Sequence, residues 1–124
     1  MNNGVAEIKV TKGDFAGTYK LRYGMIGCME FEVRSFNNPA LNNGKVLTDL
    51  VYAGIFGEAA RSERPAPLYP DVVDLLDALA YEDDYSDQIG RVWETYHQSK
   101  WGQEFQKKID ELTKKKEQSE LLNV

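Results

Sequence analysis

At 124 residues, with 42% hydrophobic and 28% charged positions, the chain has the length for one domain with a real core and an ordinary globular composition. Its net charge of −5 is concentrated in residues 65–98, where eight acids face the single base Arg91. That balance speaks against docking on a nucleic-acid backbone, which needs clustered Lys and Arg. One cysteine, Cys28, excludes an internal disulfide, and with His97 as the single histidine no zinc site can be built from Cys and His alone. No run approaches the ~20 apolar residues of a membrane span, and no charged-then-apolar start suggests a secretory signal. The expectation is a soluble protein that meets no membrane and stays in the compartment where it is made.

Along the chain, Val5–Val10 reads VAEIKV and Thr18–Gly24 reads TYKLRYG. Tyr19, Leu21 and Tyr23 alternate with Lys20 and Arg22, the two-residue period of a strand with one buried face. Gly13, Asp14 and Gly17 supply turn chemistry between the two runs, so a β-hairpin is predicted. A lone hairpin is marginal in water and must lie on helices or join another chain. Its edges carry no proline, which leaves pairing with a second subunit open.

In Met25–Phe36, MIGCMEFEVRSF, the residues Ile26, Met29, Val33 and Phe36 share one helical stripe. This spacing predicts a helix with that stripe inward, Cys28 and Met29 in the core, and Glu30 and Arg34 facing away. The breaker run NNPALNNG at 37–44 ends it. Val46–Phe56, VLTDLVYAGIF, is apolar nearly all round and reads as the central helix, closing around Gly54–Gly57 with room for a further turn over Glu58–Glu63. Arg64–Pro70, RPAPLYP, holds three of the four prolines and reads as a stiff extended connector rather than a ligand for a proline-recognition domain.

Pro70 suits the first turn of the next helix. There Val72, Leu75, Leu76 and Leu79 form one face, and Asp71, Asp74 and Asp77 form a solvated face rather than a metal-binding row. Tyr81–Asp87 is a polar junction with Asp84 and Ser86 as capping candidates. Tyr85, Ile89, Val92, Trp93 and Tyr96 then make an aromatic-rich stripe. Gly102 is expected to interrupt the helix near Ser99–Gly102, after which Trp101, Phe105, Ile109 and Leu112 resume the pattern. Core packing is the first reading of both stripes, and an exposed aromatic groove for a partner is the sharper one. From Thr113 the chain is polar, and a frayed tail is expected.

Chemistry finds little purchase on this framework. Glu94 and His97, three apart on a helix, are the best acid–base pair, yet no Ser- or Cys-centred nucleophile pattern accompanies them. Cys28 lacks a basic neighbour at helical spacing. Glu82, Asp83 and Asp84 are adjacent on the chain and diverge. No catalytic, cofactor-binding or metal-ligating residue is assigned. The predicted fold is α+β, mainly α: a hairpin in residues 1–24, then four to five helices in 25–112 packed around the Val46–Phe56 helix. Residues 1–112 form one domain and 113–124 a polar tail.

The order of these elements resembles a known family. A hairpin ending LRYG precedes a helix beginning MIGCMEFE; then come the NNG loop, the LVYAGIF helix, a proline-marked connector, DVVDLLDAL and IGRVWETYHQSKWG. Met25, Glu30 and Glu32, the run Leu50-Val51-Tyr52-Ala53-Gly54, and Val73, Leu76 and Leu79 carry the likeness, which spans roughly residues 18–112. Together they resemble the tail assembly chaperones of long-tailed bacteriophages, the short product of the G and G–T type.

The resemblance implies a non-enzymatic protein of the bacterial host's cytoplasm, absent from the mature virion. Such a protein binds the tape-measure protein, keeps it soluble and helps bring tail-tube protein to it. It also implies an elongated frameshift product, and Lys114-Lys115-Lys116 is compatible with an A-rich slippery sequence. On this reading the client-binding candidates are Trp93, Tyr96, Trp101 and Phe105 on the aromatic stripes, and Ala66, Leu68 and Tyr69 on the connector. Many copies on one client would bind by avidity, with self-association through hairpin edges as one way to build the coat. The alternative is a small structural virion protein, a tail-completion or head–tail connector subunit.

Overall fold

The alternating N-terminal runs form an antiparallel hairpin in a computed structural model that describes residues 3–36 and 43–122. β1 (Val5–Val10) pairs with β2 (Gly17–Arg22), Val5 opposite Arg22 and Val10 opposite Gly17. Gly13 takes φ +86° in the turn, a conformation open to glycine, and its carbonyl accepts the Ala16 N–H. Ile8, Val10, Leu21 and the following Tyr23 bury their side chains, as the two-residue period requires. Five helices follow among the described residues: α1 (Met25–Phe36), α2 (Asn43–Arg61), α3 (Tyr69–Leu79), α4 (Tyr85–Gln98) and α5 (Lys100–Leu122). The fold is α+β and mainly α. Of the breaker run at 37–44, residues 37–42 lie outside the described residues, and Asn43 and Gly44 open α2.

α2 is the helix on which the rest is laid. Leu50, Val51, Tyr52, Ala53 and Ala59 are buried along it, and the hairpin crosses one side. Gly54 and Gly57, the expected closing point of this helix, sit inside it, and the further turn from Glu58 is helical. A Cβ on Gly54 would stand 2.7 Å from both Leu21 Cβ and the Tyr23 hydroxyl. The missing side chain therefore makes room for β2 and lets Tyr23 donate to the Leu50 carbonyl at 2.7 Å. The helix ends at Arg61. Glu63, at φ +55°, closes it with the Arg64 N–H on Ala59 O and the Glu63 N–H on Ala60 O, the paired bonds of a Schellman turn.

α3 begins after Leu68, with Pro70 in its first turn, and buries Val72, Leu75 and Leu79. α4 sets Gln88 against the outer edge of β1. The Gln88 carboxamide accepts the Lys9 N–H at 2.7 Å and donates to Lys9 O at 3.0 Å, completing the strand at that residue as a neighbouring strand would. Asp84 lies at the N-cap of α4 without capping it; its carboxylate accepts from Gln88 instead.

Ser99 turns the chain between α4 and α5 in an extended conformation, ψ 151°. Its hydroxyl donates to Tyr96 O at 2.6 Å and accepts the Gly102 N–H at 3.1 Å, which makes it the N-cap of α5. The break falls where expected, but serine makes it. Gly102 is required for space, because a Cβ there would stand 2.1 Å from Tyr96 O. α5 then runs on to Leu122, so the polar stretch from Thr113 continues the helix.

Candidate functional site

The rotation of α1 about its own axis decides which surface is left open. Gly27 approaches the hairpin so closely that a Cβ there would lie 2.3 Å from Arg22 O and 3.3 Å from Ala53 O. With Gly27 held inward, the 100° step of the helix carries Cys28 and Phe31 to the same side, and both are buried. Met25, Ile26, Met29, Val33 and Phe36 consequently point outward, each about half exposed or more. The stripe expected in the core, Met29 included, is thus solvent-facing. Small residues at 27 and 28 are the sequence signal for this rotation, since close helix approach needs them more than it needs a large apolar face.

Arg34, expected to face away, turns to α2 and α3 instead. Its guanidinium lies 4.1 Å from the Tyr52 ring centroid and 5.3 Å from that of Tyr69, with Nε on the Glu30 carboxylate at 2.8 Å. Beside it Asp49 is 1% exposed. Lys45 pairs with one Asp49 oxygen at 2.6 Å, and the Tyr69 hydroxyl donates to the other at 2.9 Å. The Tyr69 phenol is pushed up to about 12, first by its burial and then by the Asp49 carboxylate it holds. A polar residue in the middle of an otherwise apolar helix marks this cluster in the sequence. It ties α1, α2 and α3 together.

Across the outward stripe of α1 stands the first part of α5, and between them runs an apolar groove of about 750 Å³. Met25 and Met29 form one wall, Trp101 and Phe105 the other, and Cys28 reaches the floor. Phe36 meets Phe105 edge-on at 5.7 Å, extending the apolar surface towards the end of α1. Charges edge the groove unevenly. Glu104 is held by Lys100 at 3.2 Å and Lys107 at 3.6 Å, which keep its carboxyl below the usual range. Glu32 also lines the groove, and burial raises its carboxyl above the usual range.

Beneath the groove, Cys28 Sγ lies 3.6 Å from Tyr23 O and 3.7 Å from Ser99 Oγ, and burial pushes its thiol up. A thiol so placed is packing rather than a nucleophile. The Tyr96 hydroxyl is buried and finds no hydrogen-bond partner among the described residues. Burial first, then Cys28 and Glu32, raise its pKa.

The sequence candidates therefore separate. Trp101 and Phe105 line the groove together. Tyr96 belongs to the core, packed edge-on against Tyr23 and Phe31, and cannot form an exposed aromatic wall. Trp93 is half-buried, against Phe31 on one side and stacked on His97 on the other. Leu68 and Ala66 are exposed on the connector, and Tyr69 is engaged with Asp49; none of the three lines the groove. Hydrophobic periodicity carries no signal for the methionine wall or for Glu32 as groove residues, because it favours the stripe of large apolar residues as the inward face of α1.

His97 and Glu94 are not joined by a hydrogen bond or ion pair among the described residues; Glu94 accepts from Gln98 and His97 stacks on Trp93. Glu82 accepts from Thr11 and Asp84 from Gln88. Among the described residues no group of three or more His, Cys, Asp or Glu is placed to hold a metal ion.

No family model, curated protein or solved structure matches the chain. Among the described residues no helix is long and apolar enough to cross a membrane.

Proposed function

We propose that this protein is a non-enzymatic tail assembly chaperone of a bacteriophage or prophage, and that the groove between α1 and α5 receives an amphipathic helix of the tape-measure protein. The observation that carries the reading is the outward apolar stripe of α1, of which Met25 and Met29 face Trp101 and Phe105 across an open trough while Phe36 meets Phe105 directly and Val33 stays exposed. Large apolar side chains left in water on a small domain mark an interaction surface. A trough between two helices is suited to a third helix laid along it. Methionine supports this role because its flexible thioether adapts to many apolar shapes, as a surface that must grip successive segments of one long client requires. Weak single contacts then sum by avidity when many copies sit on one client.

Self-association remains part of the proposal, but the β1 edge is a poor place for it at Lys9, where Gln88 already occupies both backbone groups. Recruitment of tail-tube protein and action in the host cytoplasm belong to the same reading. Co-expression with the phage's own tape-measure protein, followed by pull-down, is the test. Soluble tape measure recovered with many copies of this chain supports it. An insoluble tape measure, together with this protein found in purified virions, moves the assignment to a structural tail subunit.

A further inference from the structure

The apolar walls of the α1/α5 groove are asymmetric in charge. All the lysines at the groove stand on α5, where Lys100 and Lys107 engage Glu104 and Lys108 also lines the wall, while Glu32, on the facing helix α1, makes no hydrogen bond or ion pair among the described residues. Glu32 is also the more enclosed of the two, one turn along α1 from both Cys28 and Met29, with burial alone raising its carboxyl. The Cys28 thiol and the Tyr96 phenol beside it are neutral groups whose own ionisation Glu32 opposes, and among the described residues neither Lys100 nor Lys108 across the groove pairs with it. A carboxylate partly withdrawn from water without a counter-charge is unfavourable as it stands, and covering the groove with an apolar helix would desolvate it further. An occupant that brought a cation would offset this cost, whereas one that brought an acid would add repulsion to it.

We propose that the groove selects helices bearing a lysine or arginine beside their apolar face, with that cation seated on Glu32. This rests on the reading of the groove as the client-binding surface and adds to it a rule for which client segments are held. Apolar contact with Met25, Met29, Trp101 and Phe105 supplies affinity, and Glu32 supplies register, because one position along the groove accepts the cation. Successive copies along a long client would then be spaced by its basic residues.

Three synthetic amphipathic helices test this, identical in their leucine face and differing at one flanking position that carries Lys, Gln or Glu. Binding to the full-length protein is followed by calorimetry and by the change in tryptophan fluorescence. The expected order of affinity is Lys, Gln, Glu, with about fivefold or more between the extremes. Glu32→Gln should compress that range to within about twofold, chiefly by tightening the Gln and Glu peptides once no carboxylate is desolvated, and Glu32→Lys should invert the order. Asp77→Asn removes the same charge from α3 and should leave the order intact, which separates a local contact from attraction to a net-acidic protein. Equal affinity for the three peptides, with binding still abolished by Met29→Asp, overturns the charge rule and leaves the groove standing. Binding untouched by Met29→Asp overturns the groove itself.

Discussion

Gly27 of α1 and Gly57 of α2 meet over the carbonyl oxygen of Arg22: a Cβ on either would stand 2.3 Å from that oxygen, and one on Gly57 would lie 3.2 Å from Gly27 Cα. Two helices and the end of a strand share this point, and the groove depends on it. The approach at Gly27 sets the rotation of α1 and so turns Met25 and Met29 towards α5. Gly57→Ala pushes against backbone rather than a yielding side chain. It is expected to destabilise the protein by about 2–3 kcal/mol in urea unfolding. A change below about 0.5 kcal/mol would mean that the helices part there without strain.

Glu63 is a simpler case, and its substitution should stabilise. It is the sole non-glycine with positive φ among the described residues, at +55°, and closes α2 in a left-handed conformation that costs an L-residue roughly 1 kcal/mol. Glycine adopts it freely, with some loss to the entropy of the unfolded chain. Glu63→Gly should therefore gain about 0.5–1 kcal/mol and raise Tm, with the groove unaffected. A lower Tm would show that the Glu63 side chain contributes more than its backbone costs.

Gln88 stands in for a strand. Cutting it back to alanine leaves the buried-side N–H and C=O of Lys9 without their partners, at a cost of about 1–3 kcal/mol. Amide hydrogen exchange gives the specific signature: Lys9 should lose protection in Gln88→Ala while the Ile8 amide keeps its own. Equal loss at both would indicate general fraying of the hairpin.

The Asp49 cluster predicts behaviour in alkali. Tyr69 is neutral when it donates to Asp49, and its pKa is pushed up from the ordinary 10 to about 12. A group whose folded pKa is raised contributes stability that is full below its unfolded pKa and is lost as pH rises through the folded one. The contribution should thus be complete below pH 10 and disappear between pH 10 and about 12. Ultraviolet titration of Tyr69→Phe should lack one late-ionising phenol present in the wild type. The variant should also be less stable at neutral pH by about 1–2 kcal/mol, since the buried carboxylate loses a donor. Identical late titration in both proteins would place the high pKa elsewhere.

The elements of this fold were readable because periodicity survives context. The hairpin follows from Tyr19, Leu21 and Tyr23, α2 from its apolar run, and the break near Ser99 from Gly102. What was not readable is orientation. In α1 the large residues suggested the inward face, but steric access at Gly27 and Cys28 settled it the other way, and hydrophobic periodicity alone carries no information about close approach. Asp49 stands out in the sequence as a polar residue in an apolar run with Lys45 one turn before it, but its partners Arg34 and Tyr69 come from two other helices and were not readable. Of the aromatic stripes, Trp101 and Phe105 reached the groove, whereas Tyr96 went to the core: the turn at Ser99 swings α5 away from the line of α4, and a stripe read through the break joins two different surfaces.

Met29→Asp tests directly whether the α1/α5 groove is the surface that holds a client. Met29 is 55% exposed and touches the trough rather than the core, so the variant should fold with wild-type circular dichroism and Tm. Co-expressed with the tape-measure protein, wild type should keep that client in the soluble fraction and be recovered with it. Met29→Asp, folded but with a charge set in the methionine wall, should leave the client insoluble and fail to capture it. A folded Met29→Asp that solubilises and captures the tape measure as well as wild type would contradict the assignment of client binding to the α1/α5 groove.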